Sequence, residues 1–168
     1  SLLQLPISII GISIGQVFFN RCAEIVNNGG STLPLLKKTV LGLFLVSIVP
    51  FSIIFLFGTP MFSFVFGKDW AEAGLFSEIM AIWFLMNFLI SVVSTLPTIL
   101  HRQKQFFYQG MITASIQLSC FGLLPLYFGT SDESFEKILW IVSISQSIFF
   151  CYVLFVMFKF AKAGVKTN

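Results

Sequence analysis

Side chains able to do chemistry are sparse in this sequence, and their spacing narrows the chemistry further. His101 is the one histidine, and it sits beside Arg102 and Lys104 in what reads as a solvated loop. Cys22, Cys120 and Cys151 are odd in number, far apart and set in apolar stretches, so they read as small buried hydrophobes and not as a disulfide frame or metal site. No Ser/His/Asp set, no metal-ligand spacing and no phosphate-cradling glycine loop is present, which argues against an enzyme and against a cofactor. What remains is a set of amides and hydroxyls strung through apolar segments at helical spacing. One stripe is Asn87, Ser91, Ser94, Thr95 and Thr98. Another is Gln109, Thr113 and Gln117, and a third is Ser143, Gln146 and Ser147, with Gln16 standing alone. Spacings of three and four put such residues on one helix face. In hydrocarbon they need hydrogen-bonding partners, supplied by another helix or by the water of a translocation path.

Few charges stand within or at the edge of the apolar segments. Glu78 is the only acid within one of them, about a turn from its end. It reads either as an interfacial carboxylate near a helix N-terminus or as an ion-coupling group. Arg21 closes the first segment. It suits a snorkelling stop residue, and its forked guanidinium would equally suit the phosphate of an anionic lipid. Gly11 and Gly15, with Ser8 a turn earlier, form a small-xxx-small motif that favours close packing of a neighbouring helix, within the chain or across a dimer.

The elements that must carry these residues are set by composition. The chain is 57% hydrophobic and 17% aromatic with 10% charged residues, and it holds 22 Phe; its mean hydropathy is +0.93. Soluble domains carry charge on about a quarter of their residues. The expectation is an all-α, polytopic transmembrane bundle of about five spans, each near the ~20 residues a crossing needs. The spans fall at residues 2–20, 38–57, 74–98, 107–128 and 138–160, with a basic tail at 161–168. Asn27-Asn28-Gly29-Gly30-Ser31 is a loop by its turn chemistry, and Pro34 sets up entry to the second helix. Gly58, Pro60 and Gly67-Lys68-Asp69 break the chain, as do residues 101–105 and 130–133. Pro50 and Pro97 each remove an intrahelical hydrogen bond, which predicts kinks. The opening Ser1 leads straight into apolar residues with no signal-peptide pattern, which suggests a fragment with its N-terminal part missing.

Charge tests this segmentation. Alternate loops lie on opposite sides, and Arg21, Lys37, Lys38, Arg102, Lys104, Lys159, Lys162 and Lys166 collect on one of them, leaving Lys68 and Lys137 for the other. Asp69, Glu72, Asp132, Glu133 and Glu136 fall on the sparse side. The positive-inside rule makes the basic side cytoplasmic, with the C-terminus there. A net charge of +3 that is spent in this way points to membrane lipid and not to nucleic acid.

Three stretches carry a family resemblance. LPISIIGISIGQVFFNRCAE, then FVFGKDWAEAG, then HRQKQ resemble the polysaccharide-biosynthesis (O-antigen) flippases of the multidrug/oligosaccharidyl-lipid/polysaccharide exporter superfamily. The first is similar to a family helix of the form LP…IG…VFFxxxAE. The second is similar to an external loop FG-x-x-W-x-x-A, here Phe66, Gly67, Trp70 and Ala73. The resemblance covers residues 5–105; the last two spans match in hydrophobicity and sidedness. It implies five of the twelve helices of a two-lobed transporter, most of the C-terminal lobe, in the bacterial inner membrane. The implied activity is alternating-access transfer of a polyprenyl-pyrophosphate-linked oligosaccharide between leaflets. The implied partners are that lipid-linked sugar, the missing N-terminal lobe, and a polysaccharide polymerase or glycosyltransferases. Under this reading Arg21 is the one plausible cationic contributor to the path, and Gln16, Asn87, Gln117 and Gln146 could meet the sugar. No Lys or Arg lies deep in a span, so the family's binding charges would belong mostly to the other lobe. Two rivals remain: a drug or metabolite exporter of the same superfamily, and a non-transporting scaffold subunit of a polysaccharide-synthesis complex.

Overall fold

The computed structural model describes residues 4–129 and 131–164, with side chains from Ser13 onward. The described residues are helical almost throughout: α1 (Gln4–Asn27), α2 (Leu33–Phe66), a 3-10 turn (Lys68–Trp70), α3 (Ala71–Val93), a single turn α4 (Leu96–Ile99), α5 (Gln103–Phe128) and α6 (Asp132–Ala163). Four segments, Leu33–Phe66, Lys68–Ile99, Gln103–Phe128 and Asp132–Ala163, are long and apolar enough to cross a membrane. Residues 4–20 of the expected first span at 2–20 lie within α1; residues 2 and 3, and the side chains before Ser13, are outside the described residues.

Helices run past the expected spans because their charged ends are helical too. Lys37 and Lys38 lie in the second turn of α2, which starts with Pro34 in its first turn, where a missing N–H costs nothing. Gln103, Lys104 and Gln105, expected in a loop, open α5. Asp132 and Glu133 occupy the first turn of α6 behind the Ser131 N-cap, where acidic side chains complement the helix dipole. The 34 residues of α2 would reach about 50 Å if straight, well beyond a hydrocarbon core of ~30 Å. Gly58 and Pro60 were expected to break the chain. One helical run does end there, at a bend on Phe57 (φ −135°, ψ 17°), and a second restarts and reaches Phe66, while the backbone about Pro50 stays helical. Near Pro97, α3 gives way to a turn at Ser94 and Thr95 before α4.

α3 is the hub. It packs on α2, α6 and α1, whereas α5 lies against α6 with only a brief contact to α4. The main core joins Phe18 and Cys22 of α1, Leu36 of α2, Ile90 and Val93 of α3, and Val153, Met157 and Phe160 of α6. One end of the bundle gathers Val26, the 29–32 turn, Leu100 and Gly164 around a cavity. The opposite end joins α2 to α3, Phe76 of α3 to Phe135 of α6, and Phe128 of α5 to Ser134 of α6. Successive long helices therefore alternate in direction. Arg21, Lys37, Lys38, Arg102, Lys104, Lys159 and Lys162 belong to the first end, and Lys68 and Lys137 to the second. Lys166 lies outside the described residues.

The outer surface is strongly apolar. Val46, Phe64, Leu118, Leu126 and Tyr127 are each at least 75% exposed, and α5 buries only Gln109. An apolar surface so continuous is unmanageable in water and is compatible with a membrane protein.

Candidate functional site

α1 separates its packing from its polarity. Ile14, Phe18 and Cys22 turn toward the bundle, and Gly15 lies against α3, where an added Cβ would stand 3.6 Å from the Val92 carbonyl oxygen. The glycine motif is thus used within the chain at Gly15; Gly11 lies outside the described side chains. At 100° per residue, Gln16 and Asn20 fall on the opposite face of the helix, and both are exposed. Arg21 is exposed as well, and its Nη1 donates to Glu24 Oε2 at 3.0 Å.

α3 carries a second exposed polar strip. Asn87 and Ser91 are exposed and Ser94 is half-buried. Each serine hydroxyl returns to the backbone, Ser91 to the Phe88 carbonyl and Ser94 to the Ser91 carbonyl, both at 2.8 Å. Asn87 has no such outlet and presents its amide outward near the middle of the third span. In hydrocarbon that surface would be costly. It calls for water or a polar partner.

The polar stripes of α5 and α6 behave differently. Gln146 is fully buried, and its amide nitrogen donates to the Thr113 backbone carbonyl at 3.1 Å. The Thr113 hydroxyl in turn donates to the Gln109 carbonyl of its own helix at 3.0 Å. Gln109, Ser143 and Ser147 are buried as well, and Gln117 is half-buried two turns beyond Gln109. Of these contacts, the Gln146–Thr113 bond ties α5 to α6, whereas the Ser147 hydroxyl returns to the Ser143 carbonyl of its own helix at 2.7 Å. The five residues proposed for a path therefore do not converge: Gln16 and Asn87 open outward on two helices, Arg21 lies at the basic end, Gln146 is sealed in a helix seam, and Gln117 sits half-buried on α5.

Glu78 has a specific structural task. The bend at Phe57 ends one helical run, and the run that restarts presents amides without a carbonyl a turn behind them. One of these, Thr59 N–H, donates to Glu78 Oε1 at 2.6 Å. A carboxylate at a helix start is favoured by the dipole and makes a charge-assisted bond. The approach that permits it depends on two glycines. A Cβ on Gly74 would lie 2.6 Å from the Thr59 Cα, and one on Gly58 would lie 2.8 Å from the Gly74 carbonyl oxygen. The sequence reading missed this crossing, although Gly74 and Glu78 at a spacing of four and Gly58 beside Pro60 were visible signals.

The basic end holds the cavity, about 320 Å³, lined by Val26, Gly29, Gly30, Thr32, Leu100 and Gly164. Thr32 is 1% exposed, and its hydroxyl has no partner among the described residues. Arg102, at the start of α5, holds its guanidinium 4.8 Å from the centroid of the Phe160 ring, and its buried Nε is likewise unpartnered. Among the described residues no three His, Cys, Asp or Glu side chains group as metal ligands.

No family model, no curated protein and no solved structure matches the chain.

Proposed function

We propose that this chain is part of a flippase that carries a lipid-linked oligosaccharide across a bacterial inner membrane, its basic end and C-terminus cytoplasmic. The observation that supports this is the outward polar surface of α1 and α3. Gln16 and Asn20 face away from the helices that α1 packs on, and Asn87 stands exposed on α3 with Ser91 a turn further along. A hydrophilic head group cannot cross bare lipid cheaply, and a wetted groove replaces its hydration. The groove would form where this surface meets a second lobe, and rocking of the lobes would alternate access. Amides suit a sugar because each offers donors and an acceptor without a fixed charge.

A second reading, a scaffold subunit of a polysaccharide-synthesis complex, is favoured by Gln146. That amide is spent on a helix carbonyl, as expected where polar residues serve as glue. The drug-exporter reading would use Glu78 for ion coupling, and that carboxylate is engaged by Thr59.

Complementation separates the three. The complete gene is expressed in a host lacking its own O-antigen flippase, and surface polysaccharide is scored with growth on toxic amphiphiles. Restored polysaccharide upholds the flippase, and resistance without polysaccharide favours the exporter. Neither response, in a host supplying the cognate sugar, favours the scaffold.

A further inference from the structure

We infer that two rings of exposed aromatic side chains seat this chain at the two borders of a bilayer whose hydrocarbon is about 28 Å thick. One ring holds Tyr108 and Tyr152, the other Tyr127 and Trp70. The inference does not rest on the flippase reading. It starts from the three tyrosines of the chain. Tyr108, Tyr127 and Tyr152 are 66%, 84% and 54% exposed, so each offers most of its ring and its hydroxyl to the surroundings. Such a side chain is best placed where the ring meets apolar chains and the hydroxyl meets water, at the border of a bilayer.

The tyrosines fall at two levels. The bond from the Gln146 amide to the Thr113 carbonyl fixes the register of the antiparallel α5 and α6. Tyr108 precedes Thr113 by five residues and Tyr152 follows Gln146 by six, so the two stand nearly level near the basic end. Tyr127 follows Thr113 by fourteen residues and reaches the level of Asp132, at the start of α6. The bond from the Ser134 hydroxyl to the Phe128 carbonyl at 2.8 Å agrees with that register. Trp70 stands at this same end, half exposed, with its ring 5.6 Å from that of Phe66. The nineteen residues of helix from Tyr108 to Tyr127 rise about 28 Å, close to a hydrocarbon core of ~30 Å.

Charge respects both levels. Residues 108–127 and 138–158 include no charged side chain, while Lys104 and Lys159 lie beyond the first level and Asp132 and Glu133 at the second. Lys137, just inside the second, turns its ammonium outward to Glu133 at 2.7 Å, as a snorkelling side chain does. This placement also gives Asn87 a depth. Phe76 touches Phe135 near the outer level, and Asn87, eleven residues further on, lies about 16 Å inward. Its exposed amide stands at a depth that lipid alone would leave dry.

The test uses the whole chain in phosphatidylcholine liposomes. Trp70, Trp83 and Trp140 are replaced by Phe, and one reporter at a time is added by Tyr108→Trp, Tyr127→Trp, Tyr152→Trp or, midway along α5, Leu118→Trp. Lipids brominated near the headgroup or near the chain end then quench its fluorescence. At the three tyrosine positions the shallow bromines should quench roughly twofold more than the deep ones, and at Leu118→Trp the order should reverse. Stronger deep quenching at a tyrosine position overturns the proposal, as does quenching there by aqueous iodide and by neither bromolipid. A second measurement needs no substitution. The unfolding temperature of the parent chain in phosphatidylcholines of rising chain length should peak where the hydrocarbon is about 28 Å thick. A steady rise or fall with no such peak also overturns the placement, and this measurement decides if the Trp variants fail to fold.

Discussion

Thr59 and Glu78 meet across the crossing of α2 and α3, the amide of one donating to the carboxylate of the other at 2.6 Å. The carboxylate thereby acts as the N-cap of a helix to which it does not belong. Removing such a cap costs roughly 0.5–2 kcal/mol. Glu78→Ala should destabilise the chain by that order in reversible detergent unfolding, and Glu78→Gln, which keeps an acceptor oxygen, should lose about half as much. Equal stability of the parent and Glu78→Ala would mean the contact contributes nothing net.

Gly74 sets the distance at the same crossing. An added methyl would meet the Gly58 carbonyl oxygen at 2.7 Å and the Thr59 Cα at 2.6 Å. Both are backbone atoms that cannot swing aside. Gly74→Ala should therefore cost about 1–3 kcal/mol, as overpacking does, and should weaken the Glu78 contact by spreading the helices. Gly122, where an added Cβ meets nothing within 4 Å, is the control. Gly122→Ala should be neutral or slightly stabilising, since alanine is the better helix former.

Gln146 gives a prediction of the opposite kind. Its amide nitrogen is bonded to Thr113, while its buried Oε1 has no partner. A hydrogen bond between membrane helices contributes on average ~0.6 kcal/mol. Gln146→Leu fills the same space and removes the unsatisfied oxygen, so its stability should stay within about 1 kcal/mol of the parent. Gln146→Ala opens a cavity and should cost about 2 kcal/mol or more, by analogy with large-to-small core changes. A loss in Gln146→Leu as large as that in Gln146→Ala would show the hydrogen bond to be the dominant contribution.

The all-helical fold was legible because lipid imposes one rule on every backbone group, and apolar runs of spanning length obey it whatever their packing. Helix ends were less so. Lys104, Asp132 and Glu133 read as loop because they are charged, yet a helix emerging from the bilayer remains helical in water. Which polar stripe faced which way was not legible at all. Asn87 and Gln146 look alike in sequence, each an amide within an apolar segment. One is exposed because α3 leaves that face bare, and the other is sealed because α5 lies over α6. The Gly29–Thr32 stretch read only as a loop because the walls of its cavity, Leu100 and Gly164, are distant in the chain.

The exposed amides carry the prediction that bears most directly on function. A thiol reacts with a hydrophilic maleimide as the thiolate, which forms only where water reaches it. In a background where Cys22, Cys120 and Cys151 are replaced by alanine, Gln16→Cys and Asn87→Cys should label rapidly in membranes. Leu45→Cys and Leu118→Cys, on apolar exposed faces, should remain unlabelled. Gln146→Cys should also stay unlabelled, since the parent residue is fully buried. Labelling at Gln16 and Asn87 that a saturating lipid-linked sugar suppresses would support a wetted substrate path along α1 and α3. Protection at both positions without ligand, in membranes where Arg21→Cys labels freely, would mean a protein partner covers the strip. The scaffold reading would then take precedence, because a surface already closed by protein leaves no groove for a head group to enter.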